Sequence, residues 1–175
     1  AAFESATWPA TASPYDRYLR GDTLALTPAA QRGAILFFGR ARCSVCHRGV
    51  LLTDQRFHNI GIPPLGPGQG GGVDIGRAAV TGDPRDRFAF RTPALRNVTL
   101  TGPFMHNGAY GTLEQILDHY EHADSAAARF DPALLDARLR GTLDQSPATL
   151  AELRATLDTT VRRSLTLSSA ESSDL

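Results

Sequence analysis

Cys43-Ser44-Val45-Cys46-His47 is the stretch of this chain whose residue types and spacing can act together chemically. Two thiols separated by two residues can add to the two vinyl groups of one porphyrin. The histidine directly after them is then held under the iron, where its imidazole becomes the proximal ligand. C-x-x-C-H is the attachment pattern of c-type haem, so one covalently held haem c is expected on Cys43, Cys46 and His47. Two other chemistries use paired cysteines. Structural zinc wants a second paired set of ligands, and only His119 and His122 are suitably spaced here. A redox dithiol expects a βαβ setting. The stretch before Cys43 reads instead as helix and the stretch after it as loop.

The helix that delivers Cys43 is predicted from Thr27-Pro28, an N-cap followed by proline at the first helical position. It runs from Ala29 to about Arg40 and carries Ala30, Ala34, Phe37 and Phe38 toward a core. Residues 1–26 are mixed, with Pro9 and Pro14 interrupting any long helix. Residues 49–111 are rich in glycine and proline. Their extreme, Gly66-Pro67-Gly68-Gln69-Gly70-Gly71-Gly72, is expected to be a flexible surface loop. Helix returns at Thr112, where Thr112 and Gln115 match a capping box. Leu113, Ile116, Leu117 and Tyr120 then fall on one face. Asp131-Pro132 opens a further predicted helix closed by Gly141. Ser146-Pro147 opens another, with Leu150, Leu153, Leu157 and Val161 as its stripe. Ser168 to Glu171 matches one more capping box, whose helix stops at Leu175 before it can bury anything. No internal repeat is present.

Composition narrows the function classes. The chain has 175 residues, 42% of them apolar, enough for a core built around a porphyrin. Lys plus Arg and Asp plus Glu each number 18, and no basic block occurs, which argues against nucleic acid. No apolar run is long enough to span a membrane. Covalent haem attachment implies assembly outside the bacterial cytoplasm, so a periplasmic or otherwise exported protein is expected. Ala1-Ala2-Phe3-Glu4 lacks a charged start and an apolar run, which reads as a processed or cut end.

What stands opposite His47 sets potential and reactivity. Met105, the sole methionine, competes for that place with His58, His106, His119, His122 and Tyr120. The residues alone leave this open.

Longer strings carry a resemblance. Phe90-Arg91-Thr92-Pro93-Ala94-Leu95-Arg96-Asn97-Val98 is followed by Leu100-Thr101-Gly102-Pro103-Phe104-Met105-His106-Asn107-Gly108, and then by Thr112-Leu113-Glu114-Gln115 with His119-Tyr120. Asp54 to Gly61 and Ser13 to Tyr18 add to the match. Over almost its whole length the chain resembles the C-terminal haem domain of bacterial di-haem cytochrome c peroxidases and MauG. The resemblance implies an all-α, cytochrome c-like domain with long irregular haem-wrapping loops. It assigns residues 27–175 to that domain and residues 1–26 to a segment like the inter-domain linker.

It also implies a distal ligand. In the family this ligand comes from the helix after the H-[DN]-G turn. It is methionine in the electron-donating haem of the peroxidases and tyrosine in MauG. Counted from His106, the position falls on Tyr120, with Met105 as the alternative. A phenolate favours oxidised iron and lowers the potential relative to methionine. The family's calcium, between two haems, would take backbone carbonyls of Thr101 and Pro103. Arg91 and Arg96 are candidates for propionate pairing, and His58 and His106 for donors near the haem.

Two departures shape the functional expectation. The family has two haems, and this chain has one C-x-x-C-H. Both ends look trimmed. The expected role is the electron-transfer half of a peroxidase-like oxidoreductase, with peroxide reacting at a second haem in a missing domain or partner chain. A small electron-donor protein is a further expected partner. The alternative is a stand-alone mono-haem cytochrome c carrier.

Overall fold

The computed structural model describes residues 12–68, 71–163 and 165–175. Ala1-Ala2-Phe3-Glu4, Pro9, and Gln69-Gly70 of the glycine loop lie outside the described residues.

Helix α1 spans Pro14–Leu19. Pro14 interrupts any longer helix here and opens this short one, because the first helical N–H has no partner to lose. Ser13 caps it, accepting from the Asp16 N–H, and the Asp16 carboxylate accepts in return from the Ser13 N–H. Helix α2, Pro28–Phe38, starts from the Thr27 cap as the sequence predicts. Its faces divide differently from expectation. Ala30, Ala34 and Phe37 are half-buried, whereas Phe38 is exposed and lies parallel to the Tyr15 ring at 6.2 Å.

The buried residue of α2 is Gly33. A Cβ there would lie 1.9 Å from the Asp174 carbonyl oxygen, so only glycine allows this approach. Asp174 belongs to helix α7, Ser169–Asp174, which carries the predicted capping box. Arg32 donates to Asp174 at 2.6 and 2.7 Å, and Arg40 pairs with Glu171. The last helix therefore does have something to pack on: it is seated against the helix that delivers Cys43.

The stretch read as irregular holds an antiparallel ladder of strands β1, Phe57–His58, and β2, Phe90–Arg91. It also holds the short helix α3, Ala78–Thr81. The architecture is helix-rich with few strands and long irregular segments, so the all-α expectation needs this small ladder added. The glycine loop is closed at its base. The Asp74 N–H donates to Leu65 O at 3.1 Å, and the Gly66 N–H to Thr142 O at 3.1 Å.

Helix α4, Leu113–Glu121, has the Thr112/Gln115 capping box. After the short helix α5, Ala126–Arg129, the predicted Asp131–Gly141 helix is absent. Pro132–Leu134 and Arg140–Thr142 are separate 3-10 turns. Between them Leu135 is extended and 4% exposed, because its side chain enters the core. Helix α6, Pro147–Ala155, ends before Leu157 and Val161. Leu157 is nevertheless buried from the turn that follows.

Two apolar clusters form the core. One joins Leu65, Ala109, Tyr110, Phe130 and Leu135, with Met105 and Ile116 against it. The other joins Phe88, Ala127 and Leu153.

Candidate functional site

Cys43–Val45 is a 3-10 turn entered from Arg42, whose φ is 60°. The Cys46 and His47 N–H groups both donate to Cys43 O, at 3.3 and 2.8 Å. This tight turn brings both sulfurs and the imidazole to one short segment. Both cysteines are free thiols. Burial pushes the Cys43 pKa up to about 11, and burial followed by the charges of Asp54 and Asp158 raises that of Cys46. The His47 pKa is lowered, chiefly by burial. Its Nδ1 lies 3.1 Å from Leu52 O, so the neutral ring donates Nδ1–H to that carbonyl. The Pro93 carbonyl also acts on the ring; with Nδ1–H held by Leu52 O, Nε2 is the nitrogen that a metal would take.

Tyr120 lies in the last turn of α4. Its pKa is raised by burial and then by the neighbouring Cys43 and Cys46 sulfurs. The phenol is thus within electrostatic reach of both thiols, although 74 residues of sequence separate Tyr120 from Cys46. Met105 has a φ of 67° and packs against the cluster that contains Leu65, Tyr110 and Phe130.

The histidines divide clearly. His119, one residue before Tyr120, is 1% exposed. Its Nδ1 accepts from the Tyr110 hydroxyl at 3.0 Å, and its Nε2–H donates to Ile60 O at 2.7 Å. Both ring nitrogens are used, and burial lowers its pKa to about 4. His119 therefore anchors α4 to the Ile60 segment and sets the direction in which Tyr120 leaves the helix. His122 is at the surface and pairs with Asp118. His106 stacks on Phe90 at 3.9 Å, with its Nε2 3.0 Å from Asp74.

His58 is clamped. Its Nδ1 lies 2.6 Å from Asp158 and its Nε2 3.0 Å from Asp54. Burial opposes its protonation, but the two carboxylates outweigh burial and the pKa is raised. Among the described residues, potential metal-ligand atoms converge in Cys46, Asp54 and His58, within 4.8 Å of one another. His119 and His122, the spacing that suggested zinc, are engaged elsewhere. Asp158 was missed from sequence because its partner lies one hundred residues away.

Arg96 is 11% exposed at its side chain and donates Nη1–H to Asp16 at 2.8 Å and Nε–H to Val50 O at 2.7 Å. Arg91 is exposed and bonded to Gln55. Thr101 and Pro103 lie in an exposed turn, where Thr101 Oγ1 donates to Val98 O at 2.9 Å.

The residues present fit a c-type haem. Two free thiols stand in one turn with an imidazole, and a half-buried phenol lies within electrostatic reach of both sulfurs. Fold and motif together define a cytochrome c-like chain. Comparisons sharpen this, although no family model matches. The chain is 39% identical over 142 residues to cytochrome-c peroxidase IdrP1 of Denitromonas iodatirespirans, covering 67% of this chain and 38% of that protein. It is 42% identical over 110 residues to methylamine utilization protein MauG of Methylorubrum extorquens, covering 62% of this chain and 29% of that protein. The crystal structure of a MauG-like protein associated with microbial copper homeostasis matches with TM-score 0.58 and 32% identity, over 88% of this chain and 50% of that one. The chain is a relative of the cytochrome c peroxidases and MauG, and spans well under half the length of these two curated relatives.

Proposed function

We propose that this chain is the haem c-binding electron-transfer domain of a cytochrome c peroxidase/MauG-type oxidoreductase. The observation that carries the reading is that the Tyr120 phenol lies within electrostatic reach of Cys43 and Cys46, the pair that precedes His47, whose Nδ1 lies 3.1 Å from Leu52 O. In this reading residues 27–175 form the haem domain, and residues 1–26 approach it as the linker from a second haem domain. A haem bound here would supply one-electron chemistry at its iron.

The chain's own residues then have separate tasks. Cys43 and Cys46 would hold the haem through their sulfurs, and His47 would offer its iron a ring nitrogen, with Nδ1 engaged by Leu52 O. Tyr120 would offer a phenol oxygen to the same iron. Its pKa is raised in the haem-free chain, so ligation requires the hydroxyl proton to leave as the oxygen meets a metal cation. Arg91 and Arg96 are the arginines read from sequence as propionate partners. Thr101 and Pro103 would offer carbonyl oxygens to a calcium shared with the other domain. Peroxide would react at the other haem, and a small electron-donor protein would feed electrons through this one. Thioether formation places the protein in the periplasm or another exported location. Among the described residues no helix is long and apolar enough to cross a membrane.

The test is production with c-type maturation. One haem per chain, resistant to acid extraction, is expected. Tyr120→Phe should change the ferric absorption spectrum, and an unchanged spectrum removes the distal assignment. Colourless protein after maturation removes the haem reading. Peroxide turnover by this chain alone contradicts the relay role.

A further inference from the structure

Arg42 is a half-buried cation, with one guanidinium nitrogen enclosed, that the sequence did not single out. It stands directly before Cys43 and caps the 3-10 turn that carries the thiols. Its backbone is fixed on both sides, with the N–H donating to Gly39 O at 3.0 Å and the carbonyl accepting from the Val45 N–H at 3.0 Å. Its Nη1 is buried and has no hydrogen-bond partner. Withdrawing a guanidinium nitrogen from water without an acceptor is costly. Among the described residues none accepts from it, which leaves this nitrogen available to an acceptor that the polypeptide does not supply.

Neighbouring arginines are accounted for differently. Arg96 is consumed by Asp16 and Val50, and Arg91 bonds Gln55 at the surface. Arg87 also leaves Nε buried and unpaired, but its Nη2 holds Glu152 and its guanidinium lies 5.3 Å from the Phe88 ring centre. Arg42 has no such compensation among the described residues, and it is the arginine tied to the thiol turn.

We propose that Arg42 anchors a carboxylate of the haem, its Nη1–H donating to a propionate oxygen. This rests on the haem reading above. A guanidinium is suited to the task because it stays charged and presents planar donors to a carboxylate. Arg42 would then be a positioning residue. It would fix the porphyrin's orientation from the same turn that bonds it, and hold the propionate ionised.

The experiment compares matured, haem-loaded wild type, Arg42→Gln and Arg42→Lys, recording reduction potential against pH. An adjacent cation lowers a carboxylate pKa by about 1–3 units. Arg42→Gln should therefore move the propionate-linked inflection of the potential upward by about 1–3 pH units, and lower the potential at neutral pH. The ferric ligand spectrum should be retained. Arg42→Lys, which keeps the charge, should stay close to wild type. An unaltered inflection in Arg42→Gln, with one haem bound, overturns the proposal while leaving the haem reading intact. Wild type that matures without haem overturns both. If Arg42→Gln fails to load, the propionate vibrations of Arg42→Lys and wild type decide. A changed carboxylate environment supports the contact, and identical vibrations overturn it.

Discussion

Arg96 holds Asp16 at 2.8 Å across eighty residues of sequence, with both side chains almost fully enclosed. This pair ties α1 to the loop before the Thr101 turn. Hydrogen bonds from Arg96 and then Ser13 bring the Asp16 pKa down to about 2, from 3.8. A carboxyl whose folded pKa is depressed contributes stability above its unfolded value. That contribution is lost as pH falls from 3.8 through about 2. Arg96→Met is expected to lower the urea midpoint at neutral pH and to flatten its decline across this acid window. Urea titrations at stepped pH check both.

His58 gives the opposite slope. Its folded pKa lies above 6.5, so its bonds to Asp54 and Asp158 contribute stability fully below 6.5 and lose it as pH rises through the folded value. The thermal midpoint should fall on that rise. His58→Gln should remove the slope and cost roughly 1–3 kcal/mol below it, the scale for buried groups deprived of a donor. Calorimetry across this range reads both effects.

Gly33→Ala tests the seat of the last helix. In an open helix face, alanine gains about 1 kcal/mol over glycine. Here its Cβ would meet the Asp174 carbonyl at 1.9 Å, so the sign should reverse. A loss of about 1–3 kcal/mol is expected, the scale of overpacking. Denaturant unfolding that shows stabilisation would mean that α7 does not rest on α2.

Asn59 is 3% exposed and ties its own loop to the end of α6. Its Nδ2 donates to Leu153 O and Thr156 Oγ1, both at 2.9 Å, and its Oδ1 accepts from the Gly61 N–H at 2.9 Å. Asn59→Ala should cost about 1–3 kcal/mol by leaving buried partners unpaired. It should also loosen the segment that carries Ile60, the acceptor of His119.

Met105→Leu separates packing from ligation. Against Leu65, Tyr110 and Phe130 the swap conserves volume and should cost under about 1.5 kcal/mol. The ferric spectrum of the haem-loaded protein should stay the same. A marked spectral change would move the distal ligand from Tyr120 to Met105.

Local signals were legible wherever the chemistry is local. The caps at Thr27, Thr112, Ser146 and Ser168 start helices as written, because an N-cap oxygen satisfies N–H groups within the next turn. Pro14 both interrupts any long helix and opens a short one, because a proline that stops one helix is equally suited to begin another. The Asp131–Gly141 stretch carried a valid start signal, yet Leu135 is drawn into the core and the helix does not propagate. The stripe on α4 is legible from its apolar residues, but it does not report that His119 is the most buried residue of the helix. Its burial depends on Tyr110 and Ile60, which no periodicity reports.

By itself, the sequence determined the thiol–thiol–imidazole segment, the main helix starts and the family likeness, because each depends on neighbours in the chain. Tertiary structure alone decided that Tyr120 comes within electrostatic reach of the cysteines, that Arg96 is taken by Asp16, that His58 is held between two carboxylates and that Nη1 of Arg42 is left without a partner. These are relations between distant residues. Their energies arise from burial and from charge at short range, and neither exists until the chain has folded.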